Sequence, residues 1–331
     1  MRAWDLVLET AERLAGADVT SPASDARWLV CHVLGCDAAE LILRDVSRRE
    51  CALVAELAER RAAGEPVQYI TGQAPFRYEV ISVGPGVFIP RPETELLVDE
   101  VLTYLADLPP GGRQVVELCA GSGAITRSLA QERGGLVLHA VERSPQAWPW
   151  LLQNLERLQV DCRREDMAEA FHDLDARVDV VVANPPYVPG SRRGQLPVEV
   201  THDPEEAVFG GEDGLDVVRV VHAVALRLLV PGGLLAVEHD ESQVQDVRAL
   251  FSEGFTDLRT VRDLAGAPRH LVARRGRIGG GAKPGRRRCL SRLILTAPWR
   301  PRGRLLRREG VSSFPPILSM ASGALRSMLR R

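Results

Sequence analysis

The spacing of apolar residues divides the chain into a helical first part and a longer second part in which strands alternate with helices. Up to about residue 75, apolar side chains recur every three or four positions, as at Leu8, Ala11 and Leu14, which predicts amphipathic helices. Beyond this point, short apolar runs are separated by helical stretches up to about residue 275. The predicted strands cover residues 114–119, 136–141, 160–164, 178–183, 233–238, 255–262 and 268–274.

This alternation predicts an α/β fold with a doubly wound, mostly parallel sheet and helices on both of its faces. The last two predicted strands, 255–262 and 268–274, are so close in sequence that we expect a hairpin, and with it one antiparallel strand. Ligands of such sheets bind beyond the carboxyl ends of the strands. Polar or glycine-rich residues that directly follow a strand are therefore the candidates for a site.

Spacing and composition together predict four segments. The N-terminal helices contain no cluster of acids, thiols or histidines that would indicate chemistry, so we expect them to shape the entrance for a substrate. The last segment is rich in Gly, Pro and Arg and has no sustained period, which is typical of a disordered extension. The expected bounds are 1–75 for the helical substrate-recognition domain, 76–92 for a β-hairpin connector, 93–275 for the α/β domain and 276–331 for the basic extension.

The connector is predicted to be a short hairpin that leads into a stiff segment. Its strands are expected at residues 78–83 and 87–89, on either side of a turn at Gly84-Pro85-Gly86. The stiff segment Pro90-Arg91-Pro92 could carry Phe88 and Arg91 into a cleft. Two interpretations of Arg91 remain open, a substrate-binding residue and a structural clamp on a carboxylate.

The net charge of −2 conceals an uneven distribution along the chain. Residues 276–331 carry 14 Lys and Arg side chains against a single acid, Glu309, whereas the first 275 residues carry 28 basic and 43 acidic side chains. An acidic body disfavours a nucleic acid bound along its surface and tolerates a basic protein partner better. The basic extension could alternatively be an RNA-binding arm.

Composition also disfavours several classes of protein. No apolar run reaches 18 residues and an acid stands within the first five positions, so neither a membrane span nor a signal peptide is expected. The six cysteines include no C-x-x-C pair and no histidine at zinc spacing. This pattern favours free thiols in a cytoplasmic protein and no bound metal. We expect a monomer.

The most informative segment is the predicted strand 178–183 with the tetrapeptide Asn184-Pro185-Pro186-Tyr187 that follows it. Two prolines cannot continue a sheet ladder, so the strand must end in a stiff, extended elbow. The Asn184 oxygen and the Pro185 carbonyl could each accept one N–H, while the Tyr187 ring covers the plane of the bound group. This arrangement suits a planar NH₂ group of an amide or an exocyclic amine. Orienting such a weak nucleophile towards an electrophile provides most of the available catalysis.

A glycine-rich loop indicates where the electrophile binds. Cys119-Ala120-Gly121-Ser122-Gly123 joins a strand to a helix, which lets the backbone approach a ligand closely. A dinucleotide fingerprint would require a glycine in place of Thr126, and a P-loop would require Gly-Lys-Ser/Thr, which the sequence lacks. Glu142, at the end of the next strand, is placed to accept both hydroxyls of a ribose. A ribose-bearing cofactor without phosphates fits best, and S-adenosylmethionine is the candidate.

These motifs resemble those of a known family. The tetrapeptide Asn184-Pro185-Pro186-Tyr187 with the loop 117–123 is similar to class I methyltransferases that methylate planar nitrogens. Phe88-Ile89-Pro90-Arg91-Pro92-Glu93-Thr94-Glu95 and residues 64–72 look like the corresponding motifs of the release factor glutamine methyltransferases, the PrmC/HemK family. The resemblance covers residues 1 to about 275 and includes a glycine-rich stretch at 210–216.

The resemblance implies a class I methyltransferase that uses S-adenosylmethionine to methylate the glutamine amide in the Gly-Gly-Gln loop of peptide chain release factors. Two residues depart from the family pattern: Cys119 stands where glycine is commoner, and Met167 stands where an aromatic residue often covers the adenine. The residues expected to bind the cofactor are Cys119, Ala120, Gly121, Ser122, Gly123, Glu142, Asp166, Met167 and Asn184. Those expected to bind the substrate are Phe88, Arg91, Asn184, Pro185, Pro186 and Tyr187, of which Asn184, Pro185 and Tyr187 are the expected catalytic residues.

Three alternatives to this function remain. The methylated glutamine could belong to a ribosomal protein, with the chemistry unchanged. The adenine N6 amine of a nucleic acid presents the same planar NH₂ group, although the acidic body and the lack of an inserted recognition domain disfavour it. A non-catalytic binding protein could retain the cofactor fold, but the intact Asn184-Pro185-Pro186-Tyr187 disfavours that interpretation.

Overall fold

A computed structural model describes residues 1–109 and 111–277 of the chain. The first part is helical, as the apolar spacing predicts, and its helices enclose a core that includes Leu14, Leu29 and Val54. The basic extension at 276–331 lies, apart from its first two residues, outside the described residues. The helices of this first part are α1 Ala3–Ala15, α2 Pro22–Leu34, α3 Arg48–Ala62 and α4 Val67–Thr71, with a 3₁₀ turn at Glu40–Ile42.

Local sequence signals set the ends of these helices. The helix α3 begins with a capping box, in which Ser47 Oγ accepts the Glu50 N–H at 3.3 Å and the Glu50 carboxylate accepts the Ser47 N–H at 2.7 Å. The helix α2 begins at Pro22, whose missing N–H is no loss in a first turn. It ends at Gly35, which has the left-handed conformation (φ 58°) that glycine adopts without strain.

The predicted hairpin exists, but its strands lie elsewhere. Strand β1, Gln73–Phe76, pairs antiparallel with β2, Glu79–Ser82, around a turn at Arg77 and Tyr78. The expected pairing of 78–83 with 87–89 is therefore wrong. The predicted turn at Gly84-Pro85-Gly86 is present, since the Val87 N–H donates to the Gly84 carbonyl at 3.3 Å, but it follows β2 instead of joining two strands. Gly84 also permits close packing, because a Cβ there would lie 2.5 Å from the Trp150 ring. Strand β1 escaped prediction because it is only four residues long and contains a proline.

A seven-stranded sheet forms the centre of the second part, in the order β5-β4-β3-β6-β7-β9-β8. The strands β3 to β7 run parallel, β9 pairs antiparallel with β7 and β8, and the predicted single antiparallel strand is thereby confirmed. Predicted and observed strands agree within one or two residues, except that β7 begins four residues earlier than expected. The bounds are β3 Arg113–Leu118, β4 Leu136–Val141, β5 Val160–Arg163, β6 Val178–Ala183, β7 Leu229–Glu238, β8 Phe255–Arg262 and β9 Pro268–Arg275.

Helices cover both faces of this sheet and enclose two separate apolar layers. Alternate residues of β6 point to opposite faces, so Val180 and Val182 belong to one layer and Val181 and Ala183 to the other. The first layer is covered by α5 and α6 with the hairpin, the second by α9 and α10. The helices are α5 Glu95–Ala106, α6 Ala124–Glu132, α7 Trp148–Leu155, α8 Glu205–Val208, α9 Asp216–Leu228 and α10 Val244–Phe251. Shorter 3₁₀ turns lie at Pro92–Thr94, His172–Leu174, Gly190–Arg192, Val198–His202 and Glu241–Gln243.

The order of the strands determines where a ligand can bind. The chain proceeds from β3 outward to β4 and β5, then returns to place β6 on the other side of β3. The connections on the two sides of this reversal diverge, which opens a crevice beyond the carboxyl ends of β3 and β6. Within the described residues, no helix is long and apolar enough to cross a membrane.

Candidate functional site

A cleft of about 550 Å³ opens at the carboxyl ends of the parallel strands. It is lined by the residues that follow β3, β4, β5 and β6, by the segment from Phe88 to Thr94, and by Glu238 at the end of β7. A volume of this size is typical of sites for small organic ligands and cofactors. The predicted site residues all line this cleft except Gly123.

The two glycines of the loop after β3 have different surroundings. Gly121 (φ 54°) lines the cleft, and a Cβ built there would meet no atom within 4 Å. Gly123 (φ 77°) lies behind the loop, where a Cβ would approach Leu151 Cδ1 to 2.7 Å and Leu155 to 3.3 Å. Gly121 therefore leaves backbone open to a ligand, whereas Gly123 allows the loop to pack on α7.

Cys119 occupies a position that favours glycine. Its backbone has φ 55°, in the left-handed region that side chains with a Cβ adopt at a cost. Glycine, the residue that the family resemblance implies at this position, would adopt this conformation without strain. The Cys119 Sγ lies 3.8 Å from Met167 Sδ. Burial raises the pKa of the Cys119 thiol, which favours its protonated form.

Glu142 links the glycine-rich loop to the end of β4. Its Oε2 accepts the N–H of Gly121 at 2.8 Å, and its Oε1 accepts the N–H of Ser144 at 2.7 Å. Burial raises the pKa of Glu142, and these backbone hydrogen bonds oppose the rise. Because each carboxylate oxygen can accept more than one hydrogen bond, the carboxylate is fixed in place while retaining capacity towards the cleft.

Asp166 and Met167 follow the fifth strand and form the next part of the cleft wall. The Asp166 carboxylate accepts the Ala168 N–H at 2.9 Å and lies 3.8 Å from the Arg143 guanidinium. Asp166 is exposed and Met167 is half-buried beside Cys119. The strand-end residues Gly121, Glu142 and Asp166 thus line one continuous side of the cleft, as expected for a parallel sheet.

The elbow after β6 forms the opposite side of the cleft. Asn184 Nδ2 donates to Thr94 Oγ1 at 3.0 Å, and the Tyr187 hydroxyl donates to Glu238 Oε1 at 2.8 Å. Burial, followed by the negative charge of Glu238, raises the pKa of Tyr187 well above its ordinary value, so its hydroxyl remains a donor. These two hydrogen bonds fix the orientations of the Asn184 and Tyr187 side chains.

The glycine-rich stretch at 210–216 supports the elbow. The Gly210 N–H donates to the Val188 carbonyl at 3.0 Å, and Gln243 Nε2 donates to the Tyr187 carbonyl at 2.8 Å. A Cβ at Gly210 would lie 2.5 Å from the Pro186 carbonyl oxygen. Only glycine permits this close approach of two backbone segments.

Phe88 and Arg91 both line the cleft, and Arg91 forms an ion pair at its edge. The Arg91 guanidinium lies 2.5 Å from the carboxylate of Asp203, whose side chain is fully buried. The same carboxylate accepts the Ile89 N–H at 3.1 Å and the Tyr69 hydroxyl at 3.2 Å. Arg91 therefore forms the clamp on a carboxylate that was one of its two interpretations. A contact of Arg91 or Phe88 with substrate stays a prediction.

Three residues at the base of the cleft were missed by sequence reasoning: Thr94, Glu117 and Glu238. Glu117 is buried under the glycine-rich loop, where it accepts the Thr126 N–H at 2.8 Å and burial raises its pKa to about 8. Glu238 accepts hydrogen bonds from both Thr94 and Tyr187. An acid in the last two positions of a buried strand was the available signal for Glu117 and Glu238, since a buried carboxylate requires a reason.

Comparisons with known proteins show which family the chain is similar to. The PrmC N-terminal domain matches residues 5–72, and the methyltransferase small domain matches residues 91–202. The chain is 43% identical over 275 residues to a release factor glutamine methyltransferase of Streptomyces coelicolor, an alignment that covers 81% of this chain and 96% of that protein. It is 39% identical over 269 residues to the enzyme of the same name from Corynebacterium glutamicum, covering 79% and 95% of the two chains.

A solved structure of a protein-(glutamine-N5) methyltransferase, described as release factor-specific, from Alicyclobacillus acidocaldarius is 28% identical. It matches 60% of this chain and all of that chain, with a TM-score of 0.37. The two sequence relatives are about 40% identical to this chain over about four fifths of its length, which is enough to show common family membership. With its fold and its strand-end residues, the chain belongs to the release factor glutamine methyltransferase family.

Proposed function

We propose that this protein transfers a methyl group from S-adenosylmethionine to the side-chain amide nitrogen, N5, of the glutamine in the Gly-Gly-Gln motif of peptide chain release factors. The observation that carries the proposal is the orientation of Asn184. Its Nδ2 donates to Thr94, which leaves its Oδ1 as a hydrogen-bond acceptor in the cleft that Asn184 and Pro185 both line. Family membership and the names of the relatives support the same substrate.

The side of the cleft formed by the ends of β3, β4 and β5 fits the cofactor. Gly121 exposes backbone without obstruction, and the fixed Glu142 carboxylate retains lone pairs for the two hydroxyls of a ribose. When bound, S-adenosylmethionine supplies a methyl group on a positively charged sulfur, an electrophile for a nitrogen lone pair. We assign residues 119–122 and Asn184 to its methionine portion, Glu142 to its ribose, and Asp166 with Met167 to its adenine.

The elbow fits a planar amide. Such a group offers two N–H donors in one plane, and Asn184 Oδ1 and the Pro185 carbonyl are two acceptors on neighbouring residues. The Tyr187 ring, anchored through its hydroxyl at 2.8 Å from Glu238, provides an apolar face for that plane. Orienting the nitrogen in this way provides much of the rate enhancement for a weak nucleophile. After transfer the nitrogen can lose its extra proton to water, so the reaction requires no general base.

We assign substrate recognition to the N-terminal helices and the edge of the cleft. Arg61 of α3 is buried and bonds both Asp25 and Glu199, and Tyr69 of α4 bonds Asp203. These contacts join the helical part to the segment 196–204, several residues of which line the cleft. We therefore propose Phe88 and Arg91, at the edge of the same cleft, as contacts of the substrate. We also propose the expected bounds 1–75 and 93–275 for the two domains. The proposed compartment is the cytoplasm, because translation occurs there.

The test is a kinetic comparison of Asn184→Ala with the unsubstituted protein on a release factor that carries Gly-Gly-Gln. Loss of one preorganised hydrogen bond in a transition state costs on the order of a hundredfold in kcat. Cofactor affinity, measured by calorimetry, should change much less, since residues 119–122, Glu142, Asp166 and Met167 also hold the cofactor and Asn184 acts mainly on the methyl acceptor. An unchanged kcat in a folded Asn184→Ala variant would refute the assignment.

A further inference from the structure

A buried chain of hydrogen bonds orients the Asn184 side chain and ends at Glu238. Thr94 Oγ1 accepts the N–H of Asn184 Nδ2 at 3.0 Å and donates its own hydrogen to Glu238 Oε2 at 2.8 Å. Thr94 is 4% and Glu238 1% exposed, so water cannot replace either partner freely. Because a hydroxyl carries one hydrogen, donation to Glu238 leaves Thr94 only lone pairs to offer to Asn184.

The carboxylate determines the direction of this chain, because a carboxylate only accepts hydrogen bonds. Thr94 must donate to Glu238, Asn184 must donate its Nδ2–H to Thr94, and the Asn184 oxygen is left facing the cleft. An asparagine turned by half a rotation about its last torsion would instead present an NH₂ group. That group would meet the N–H donors of a substrate amide with donors of its own.

We propose that Glu238 and Thr94 are positioning residues that hold Asn184 in its acceptor orientation and thereby select a substrate amide over a carboxylate. This inference rests on the proposed function, since it concerns the same elbow. Glutamine and glutamate side chains have nearly the same shape, so the discrimination between them depends on which hydrogen-bonding groups the site presents.

The second oxygen of Glu238 holds the other side chain of the elbow. Its Oε1 accepts the Tyr187 hydroxyl at 2.8 Å, so one carboxylate fixes both Asn184, through Thr94, and Tyr187 directly. Glu238 is the last residue of β7, and His270 of β9 lies directly opposite it in the ladder. The fully buried His270 places its Nε2 3.5 Å from Glu238 Oε2. Glu238 and His270 thus stand opposite each other on two paired strands.

The segment after the hairpin has a defined role in this arrangement. Pro90-Arg91-Pro92 leads into the 3₁₀ turn Pro92–Thr94, which places Thr94 between two residues that are 90 and 144 positions away in sequence. The stiffness of the two prolines limits the positions that Thr94 can take. Removing the hydroxyl should therefore release Asn184 without displacing the backbone.

The experiment compares Thr94→Val with Thr94→Ser, using a release factor with Gly-Gly-Gln as the methyl acceptor. Thr94→Val replaces the hydroxyl by a methyl group, and we expect kcat to fall about tenfold or more, with KM and the cofactor Kd little changed. Thr94→Ser retains the hydroxyl and should restore most of the rate. A role in packing alone would give the opposite order, because valine matches the volume of threonine better than serine does.

A second arm measures selectivity with Glu238→Gln, whose amide can donate to Thr94 and so permits the reversed direction. The two ligands are a release factor with Gly-Gly-Gln and a release factor in which that glutamine is replaced by glutamate. We expect the unsubstituted enzyme to bind the first more tightly than the second. In Glu238→Gln the ratio of these two affinities should be smaller. Should Thr94→Val fail to fold, this arm decides, and an unchanged ratio overturns the inference. Full activity of Thr94→Val, or failure of Thr94→Ser to exceed it, also overturns the inference. If the unsubstituted protein transfers no methyl group to a release factor, the proposed function fails, and the inference with it.

Discussion

The two glycines of the loop after β3 provide a matched pair of substitutions that separates stability from cofactor binding. Gly123→Ala would place a Cβ 2.7 Å from Leu151 Cδ1 and 3.3 Å from Leu155, both of which belong to α7 and are buried in a small apolar cluster. Overpacking of this kind costs about 1–3 kcal/mol. The left-handed backbone (φ 77°) adds about 1–2 kcal/mol for any residue with a Cβ. The expected loss of unfolding free energy is therefore about 2–5 kcal/mol.

Gly121→Ala carries the backbone cost without the clash. Its φ is 54°, so alanine should cost about 1–2 kcal/mol there. The new methyl group would, however, stand in open space where the loop lines the cleft. If the cofactor binds against this loop, its affinity should fall by about tenfold or more, which corresponds to about 1.4 kcal/mol.

Thermal unfolding and calorimetric titration of S-adenosylmethionine measure the two effects. One kcal/mol shifts the melting temperature by about 2–4 °C in domains of 150–250 residues. Gly123→Ala should therefore melt several degrees below Gly121→Ala while binding the cofactor better. Equal melting temperatures, or a folded Gly123→Ala variant that binds the cofactor less well than Gly121→Ala, would refute the distinction between the two glycines.

Three further predictions concern the same side of the cleft. Glu142→Ala should weaken S-adenosylmethionine binding by about 1.5–3 kcal/mol, the range for hydrogen bonds to a charged group, and unchanged affinity by calorimetry in a folded variant would remove Glu142 from the site. Glu117 has a pKa raised to about 8 from 4.5, so it binds its proton more tightly in the folded state. Its contribution to stability is full below about pH 4.5 and is lost as pH rises to about 8, at up to about 1.4 kcal/mol per pH unit. In Glu117→Gln, the free energy of unfolding measured with urea should not decline in this way between pH 4.5 and about 8. If the variant and the unsubstituted protein show the same dependence on pH, the role of Glu117 is contradicted. Cys119→Gly should unfold at the same or a higher urea concentration than the unsubstituted protein, because only glycine avoids the cost of about 1–2 kcal/mol that φ 55° imposes on a residue with a Cβ. Cys119→Val keeps that cost and should be the less stable of the two variants. Equal stability of both Cys119 variants would contradict the strain.

The sheet and one side of the cleft could be read from the sequence because their signals are local. A buried strand is a short apolar run, and Gly121, Glu142 and Asp166 each follow such a run directly. Since parallel strands end at the same edge of a sheet, the fold brings these residues together without further information.

The support behind the elbow could not be read in this way. Thr94, Asn184 and Glu238 stand far apart in sequence, and neither Thr94 nor Glu238 belongs to a pattern that identifies its partner. Only the pairing of β7 with its neighbours and the path of the segment before α5 bring the three together. The pairing of the hairpin was missed because the turn at Gly84-Pro85-Gly86, although present, follows β2. The turn that joins β1 to β2 lies at Arg77 and Tyr78, neither of which is a typical turn residue.

The measurement that tests the central claim most directly offers labelled S-adenosylmethionine to three acceptors. They are a release factor with Gly-Gly-Gln, its variant with that glutamine replaced by alanine, and an adenine-containing oligonucleotide, each tested at increasing salt concentration. We predict that label enters only the first and that the rate depends weakly on salt, because a compact loop bound in a cleft releases few counterions. Mass spectrometry should locate the label on the glutamine side chain. Steeply salt-dependent methylation of the oligonucleotide, with the release factor left unlabelled, would contradict the account.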